Sequence, residues 1–93
     1  MSDSVQQFQG MITDAVRDRR AGGLKAAFRE VARLYQLSDR RVRAAWHGEI
    51  RDVSASEWHE VRRIHIELMR LRQARLEHEL AMLRALMIER DSL

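Results

Sequence analysis

Apolar residues return along the chain at helical spacing. Val5, Phe8, Ile12, Ala15 and Val16 follow a period near 3.6 and mark one stripe of a first helix. The pattern predicts a start at Ser4, which has capping-box spacing to Gln7. Arg17, Arg19 and Arg20 load the far end, where positive charge suits the helix dipole, and Gly22-Gly23 stops it. Gly10 weakens its middle by roughly 1 kcal/mol relative to Ala. A second helix from about residue 24 buries Leu24, Ala27, Phe28, Val31, Leu34 and Tyr35, with Lys25, Arg29 and Arg33 on the other side. Gln36-Leu37-Ser38 reads as a corner. A third helix over residues 39–47 follows, with Val42, Ala45 and Trp46 inward and Asp39, Arg40, Arg41, Arg43, Ala44 and His47 outward.

Gly48 ends that helix, and residues 49–53 form a short connection. The next start is the clearest in the chain. Ser54 and Glu57 make a capping box, and Val53 and Trp58 make a hydrophobic staple across it. After Trp58 no Gly or Pro occurs, and helix formers continue to about Asp91, a rod of roughly 50 Å. Val61, Ile64 and Leu68 would close the core. Leu76, Leu80, Leu83 and Met87 recur at spacings of four, three and four, the seam of a coiled coil. Arg75 and His78 interrupt its continuation from Leu71, and Met69, Met82, Leu86 and Ile88 broaden the stripe. A break near Gln73 or Ala74, folding the segment back as a hairpin, is the alternative. Either form needs a partner surface, which predicts self-association, most simply as a two-fold dimer.

Composition changes this picture through the placement of charge. The net charge is +3 over 93 residues, yet the segment 17–51 alone carries +6, and from Val53 onward seven Arg meet seven acids. Sixteen of the seventeen basic residues are Arg, which grips phosphate and guanine edges at two points where Lys offers one charge. Positive charge concentrated on one unit favours nucleic acid. There is no cysteine, so disulfides and thiolate metal sites are excluded. No signal peptide and no apolar run near the ~20 residues needed to cross a bilayer are visible, so the expected location is the cytoplasm, with no membrane partner.

The stretch FREVARLYQLSDRRVRAAW, residues 28–46, brings these features together. Counting Phe28 as first, small Ala32 is fifth, where two helices cross closely. Val31, Leu37, Val42 and Ala45 are the inward positions, and Gln36 stands ninth, where the corner wants a positive φ and Gly is usual. The stretch resembles the helix-turn-helix of lambda-repressor and Cro-like DNA-binding proteins, as in small phage or mobile-element regulators. The resemblance extends over roughly residues 24–66, through the aromatic-x-Gly unit Trp46-His47-Gly48 and a short loop to a helix opening at a Ser.

It implies an all-α fold: a helix-turn-helix domain of four to five helices over residues 1–66, and a dimerisation segment over 67–93 seamed by Leu76, Leu80, Leu83 and Met87. The implied function is a sequence-specific transcriptional regulator of repressor type, binding an inverted repeat in double-stranded DNA as a homodimer. Arg40, Arg41 and Ala44 would meet base edges, and Lys25, Arg29, Ser38, Arg43, His47 and Arg51 would meet phosphate. Asp39 suits a cytosine amino group or simple helix capping. Trp46 reads as core rather than an intercalating wedge.

No enzyme is expected, since no nucleophile elbow, phosphate-cradling loop or paired-carboxylate constellation occurs. No cofactor or metal is expected either. His59-Glu60 resembles the opening of a zinc-protease motif, but Arg63 stands where the second His belongs. His59, His65 and His78 read as exposed or paired with Glu. Two rival functions remain: a ring-forming packaging protein like phage small terminase subunits, and an adaptor or antiactivator that binds a protein partner.

Overall fold

The structure is a computed structural model that describes residues 3–91. Among the described residues the chain is all-α. Its helices are α1 (Asp3–Asp18), α2 (Leu24–Tyr35), α3 (Asp39–Trp46) and α4 (Ala55–Asp91), with a single 3-10 turn at Arg20–Gly22. The segment after Trp58 is one uninterrupted helix, not a hairpin. Its 37 residues span roughly 55 Å, and the molecule measures 60 × 26 × 21 Å. The Cα radius of gyration is 17.2 Å, against about 12 Å for a compact chain of this length.

A head and a protruding rod account for this shape. In the head, Phe8, Ile12 and Val16 of α1, Val31 and Tyr35 of α2, Val42 of α3 and Val61 of α4 are fully buried. Burial of side chains of this size contributes about 1.5–3 kcal/mol each, so a charge at Val42 would open the head. Leu24, Leu34, Leu37 and Trp46 pack around that centre, and Ala32, 5% exposed, occupies the close crossing expected for it. Ile50 is also buried. Its backbone N–H donates to the Gln9 side chain at 2.9 Å, which ties the loop before α4 to α1. Packing against the head continues along α4 to Leu68, a little past residue 66. From Met69 onward the large apolar side chains of α4 are exposed.

Two helix starts and one stop differ from the sequence pattern. α1 begins at Asp3, so Ser4 lies inside its first turn instead of capping it. α1 also stops at Asp18, ahead of the glycines. Arg19 is responsible, because its guanidinium donates to the Ala15 carbonyl at 3.1 Å and satisfies a C-terminal acceptor. At α4, the Glu57 N–H donates to the Ser54 hydroxyl at 3.0 Å as a capping box requires. The Glu57 carboxylate does not return to the cap, because Arg41 holds it.

Candidate nucleic-acid interface

The corner before α3 is held by its backbone. Gln36 adopts the left-handed conformation, φ 57° and ψ 42°. This lets the Leu37 N–H donate to the Ala32 carbonyl at 2.9 Å and the Gln36 N–H to the Arg33 carbonyl at 3.4 Å, the paired bonds of a Schellman stop. Ser38 then caps α3, its hydroxyl oxygen accepting from the Arg41 N–H at 3.0 Å. The far end repeats the stop. Gly48 has φ 71°, and the N–H groups of Gly48 and Glu49 donate to Ala45 and Ala44 at 3.1 and 2.8 Å. Buried Val42 and Ala45 anchor the helix between these two ends.

With Val42 and Ala45 inward, the opposite face of α3 carries Arg40, Arg43 and His47, all exposed, around half-buried Ala44. These residues are three and four apart and share one face. Asp39 is exposed in the first turn, where an acid suits the helix dipole.

Arg41 departs from the expectation that it points outward. Its guanidinium grips Glu57 at two points, 2.6 and 3.1 Å, and donates to the Asp52 carbonyl at 2.9 Å. It also lies 5.2 Å from the centre of the Phe8 ring. The physical reason is periodicity: Arg41 stands one turn before buried Ala45, so its side chain leaves the helix toward α1 and α4. Among the expected base-contacting residues, Arg40 and Ala44 remain on the open face and Arg41 is withdrawn from it.

Arg43 is steadied at the rim of that face, 5.9 Å from the centre of the Phe28 ring. Phe28 meets Trp46 edge to face at 6.2 Å, and Arg20 lies 5.4 Å over the Trp46 ring. Trp46 is therefore packed within the unit, and Arg20, read from sequence as a dipole charge, stands beside the C-terminal end of α3. On α2, Lys25, Arg29 and Arg33 are exposed at four-residue spacing. Gly23 supplies no side-chain cap and no acid occupies the first turn, so the amino end of α2 adds to the positive field. Arg51 is exposed in the loop.

A polar cluster fixes the rod to the head. The Tyr35 hydroxyl and His65 Nδ1 are 2.7 Å apart, and Asp14 lies 3.6 Å from His65 Nε2. Arg72 pairs with Asp14 at 3.4 Å and with Asp18 at 3.2 Å. Burial pushes the Tyr35 hydroxyl up to about 12. It also pushes the His65 imidazole below its ordinary value, with the Asp14 charge opposing the shift. His65 is thus half-buried and paired with Tyr, where the sequence suggested exposure or a Glu partner. The signal was available, since His65 follows buried Ile64 and sits one turn after Val61.

No family model matches the chain, and no curated protein or solved structure matches it either. Among the described residues no helix is long and apolar enough to cross a membrane, and no group of three His, Asp or Glu side chains is placed to hold a metal ion.

Proposed function

We propose that the chain is a cytoplasmic, sequence-specific DNA-binding regulator of repressor type, which lays α3 in the major groove and works as a two-fold dimer joined through α4. The observation that carries this reading is the open face of α3. Arg40, Arg43 and His47 surround a small Ala44 on a helix fixed at both ends, within the segment that holds the chain's excess positive charge. Arg40 suits a guanine edge, and Ala44 permits close approach or contact with a thymine methyl. Arg43 and His47 flank them at phosphate height, with Lys25, Arg29 and Arg51 further along the backbone. Ser38 contributes as the cap that sets the helix. Leu76, Leu80, Leu83 and Met87, each 45–57% exposed, supply the apolar face for a second copy. A two-fold pair presents its recognition helices to the halves of an inverted repeat.

The test is a mobility-shift titration on the DNA upstream of the chain's own coding sequence, across a salt series. With about four phosphate contacts per head and two heads on the repeat, affinity should fall roughly 10,000-fold as salt rises from about 50 to about 200 mM. Arg40→Ala should relax site preference while the protein stays folded. Binding that ignores salt, or that survives Arg40→Ala and Arg43→Ala together unchanged, would overturn the reading.

A further inference from the structure

We propose that α4 pairs with α4 of a second copy as a parallel, in-register, two-stranded coiled coil beginning at Ile66, so that both heads hang from one end of a common stalk. The inference rests on the self-association in the reading above and not on DNA binding.

The seam of Leu76, Leu80, Leu83 and Met87 continues toward the head when the alternating steps of three and four are counted back. The next positions are Gln73, Met69 and Ile66. Ile66, Gln73, Leu80 and Met87 then hold the a positions of a heptad, and Met69, Leu76 and Leu83 hold the d positions. Shape agrees with this count. A groove of about 500 Å³ runs along α4, formed only by residues of α4, and Ile66, Met69, Gln73, Leu76 and Leu80 make its floor. Every residue lining it falls at an a, d, e or g position, the four that face a partner helix. Ile66 is free to join, because Val61, Ile64 and Leu68 make the contacts with the head, nearly half a turn around the helix.

Charge and seam coverage together set the direction. In a parallel pair each g position faces the e position five residues on in the second copy, so Glu79 meets Arg84 and Arg72 meets Glu77. Both contacts join opposite charges, although Arg72 shares its charge with Asp14 and Asp18. An antiparallel pair overlapping the same seam, centred near residue 78, sets Glu77 against Glu77, Glu79 against Glu79 and Arg70 against Arg84. Every one of those contacts is repulsive. Sliding that pair one layer outward leaves no residue of α4 opposite Ile66 and Met69. Sliding it inward brings Arg70 to Glu77 and Arg72 to Glu79, but it sets Met87 against Arg62 of the head and the Gln73 amide against Leu76. Gln73 adds to the preference. It is the one polar residue between Ile66 and Met87 on the seam, and only in the parallel register does its amide meet its own copy; a lone polar a position of this kind fixes register. The direction matters to the heads, because an antiparallel stalk would hold the first residues of the two α4 helices roughly 70 Å apart.

The chain has no cysteine, so single cysteines report the arrangement directly in the full-length protein. Leu83→Cys should form a disulfide-linked dimer under mild oxidation, and Arg75→Cys, off the seam, should not. Glu79→Arg should weaken self-association roughly ten-fold, and the exchanged pair Glu79→Arg with Arg84→Glu should restore it. A dimer by light scattering that neither links through position 83 nor responds to the exchange would overturn the parallel arrangement while leaving self-association standing. A mass above two chains would overturn the two-stranded form. A monomer at every concentration would remove both, and binding by a single head would still be judged by its own titration.

Discussion

Arg41 and Glu57 are joined at two points, Nη2 to Oε1 at 2.6 Å and Nε to Oε2 at 3.1 Å, and this contact binds α3 to the first turn of α4. Both side chains are roughly a quarter exposed, so the pair is shielded but not dry. Two-point carboxylate contacts of this kind are among the stronger hydrogen bonds in proteins. Arg41→Ala should cost about 1–2 kcal/mol, lowering the unfolding midpoint by several degrees. Arg40→Ala, one residue away, should leave the midpoint within a degree or two. Thermal unfolding of the two variants side by side checks the difference, and equal midpoints would refute the division of roles.

Acid should loosen the junction of head and rod. The folded His65 has its imidazole held below the ordinary value of 6.5, so the unfolded chain binds the proton more readily. Stability is then complete above about 6.5 and declines as pH falls below it toward the folded value. Urea midpoints for the native chain and for His65→Gln, measured between pH 8 and pH 5, should converge as the pH drops. Parallel curves would show that His65 does not carry the effect.

Alkali should act on the partner of that histidine. Tyr35 is raised from 10.0 to about 12 in the fold, so the unfolded chain loses its proton first. Its contribution is intact below pH 10 and is lost as pH rises from there through 12. Tyr35→Phe removes this alkaline dependence and leaves His65 Nδ1 without its partner. The variant should therefore be less stable at pH 7 and show a shallower loss above pH 10 by circular dichroism.

Two positions offer stabilising changes. Gln36 holds a left-handed backbone that strains a residue with a Cβ, so Gln36→Gly should raise stability by up to about 1 kcal/mol. Gly10 lies within α1 with open space where a Cβ would stand, and Gly10→Ala should add up to about 1 kcal/mol. The sites are on different helices, so the double variant should show the sum in chemical denaturation.

Local pattern carried most of this fold. The stripe from Phe8 to Val16, the positive φ at Gln36, the Ser38 and Ser54 caps and the long α4 all follow from spacing and cap chemistry within a few residues. Contacts between distant segments were less visible. Arg41 to Glu57, Tyr35 to His65 and Gln9 to Ile50 span 16, 30 and 41 residues, and each depends on how helices meet. One clue to Arg41 lay in its i, i+4 relation to Ala45. Ile50, an apolar residue set between Glu49 and Arg51 in the loop, was another. The seam showed the opposite weakness: counted forward from Leu71 it looks broken, whereas counted back from Leu76 it passes through Gln73 and Met69 to Ile66, residues that line the groove on α4.

The uninterrupted course of α4 has a mechanical consequence. With no joint between the residues clamped to the head and the exposed apolar end, a change of length inside the rod cannot be absorbed locally. One residue inserted after Arg72 would swing the far end about 100° around the helix axis relative to the head. Seven would lengthen the rod by roughly 10 Å and bring the original facing nearly back, so in this chain helix length and angular aim are a single variable.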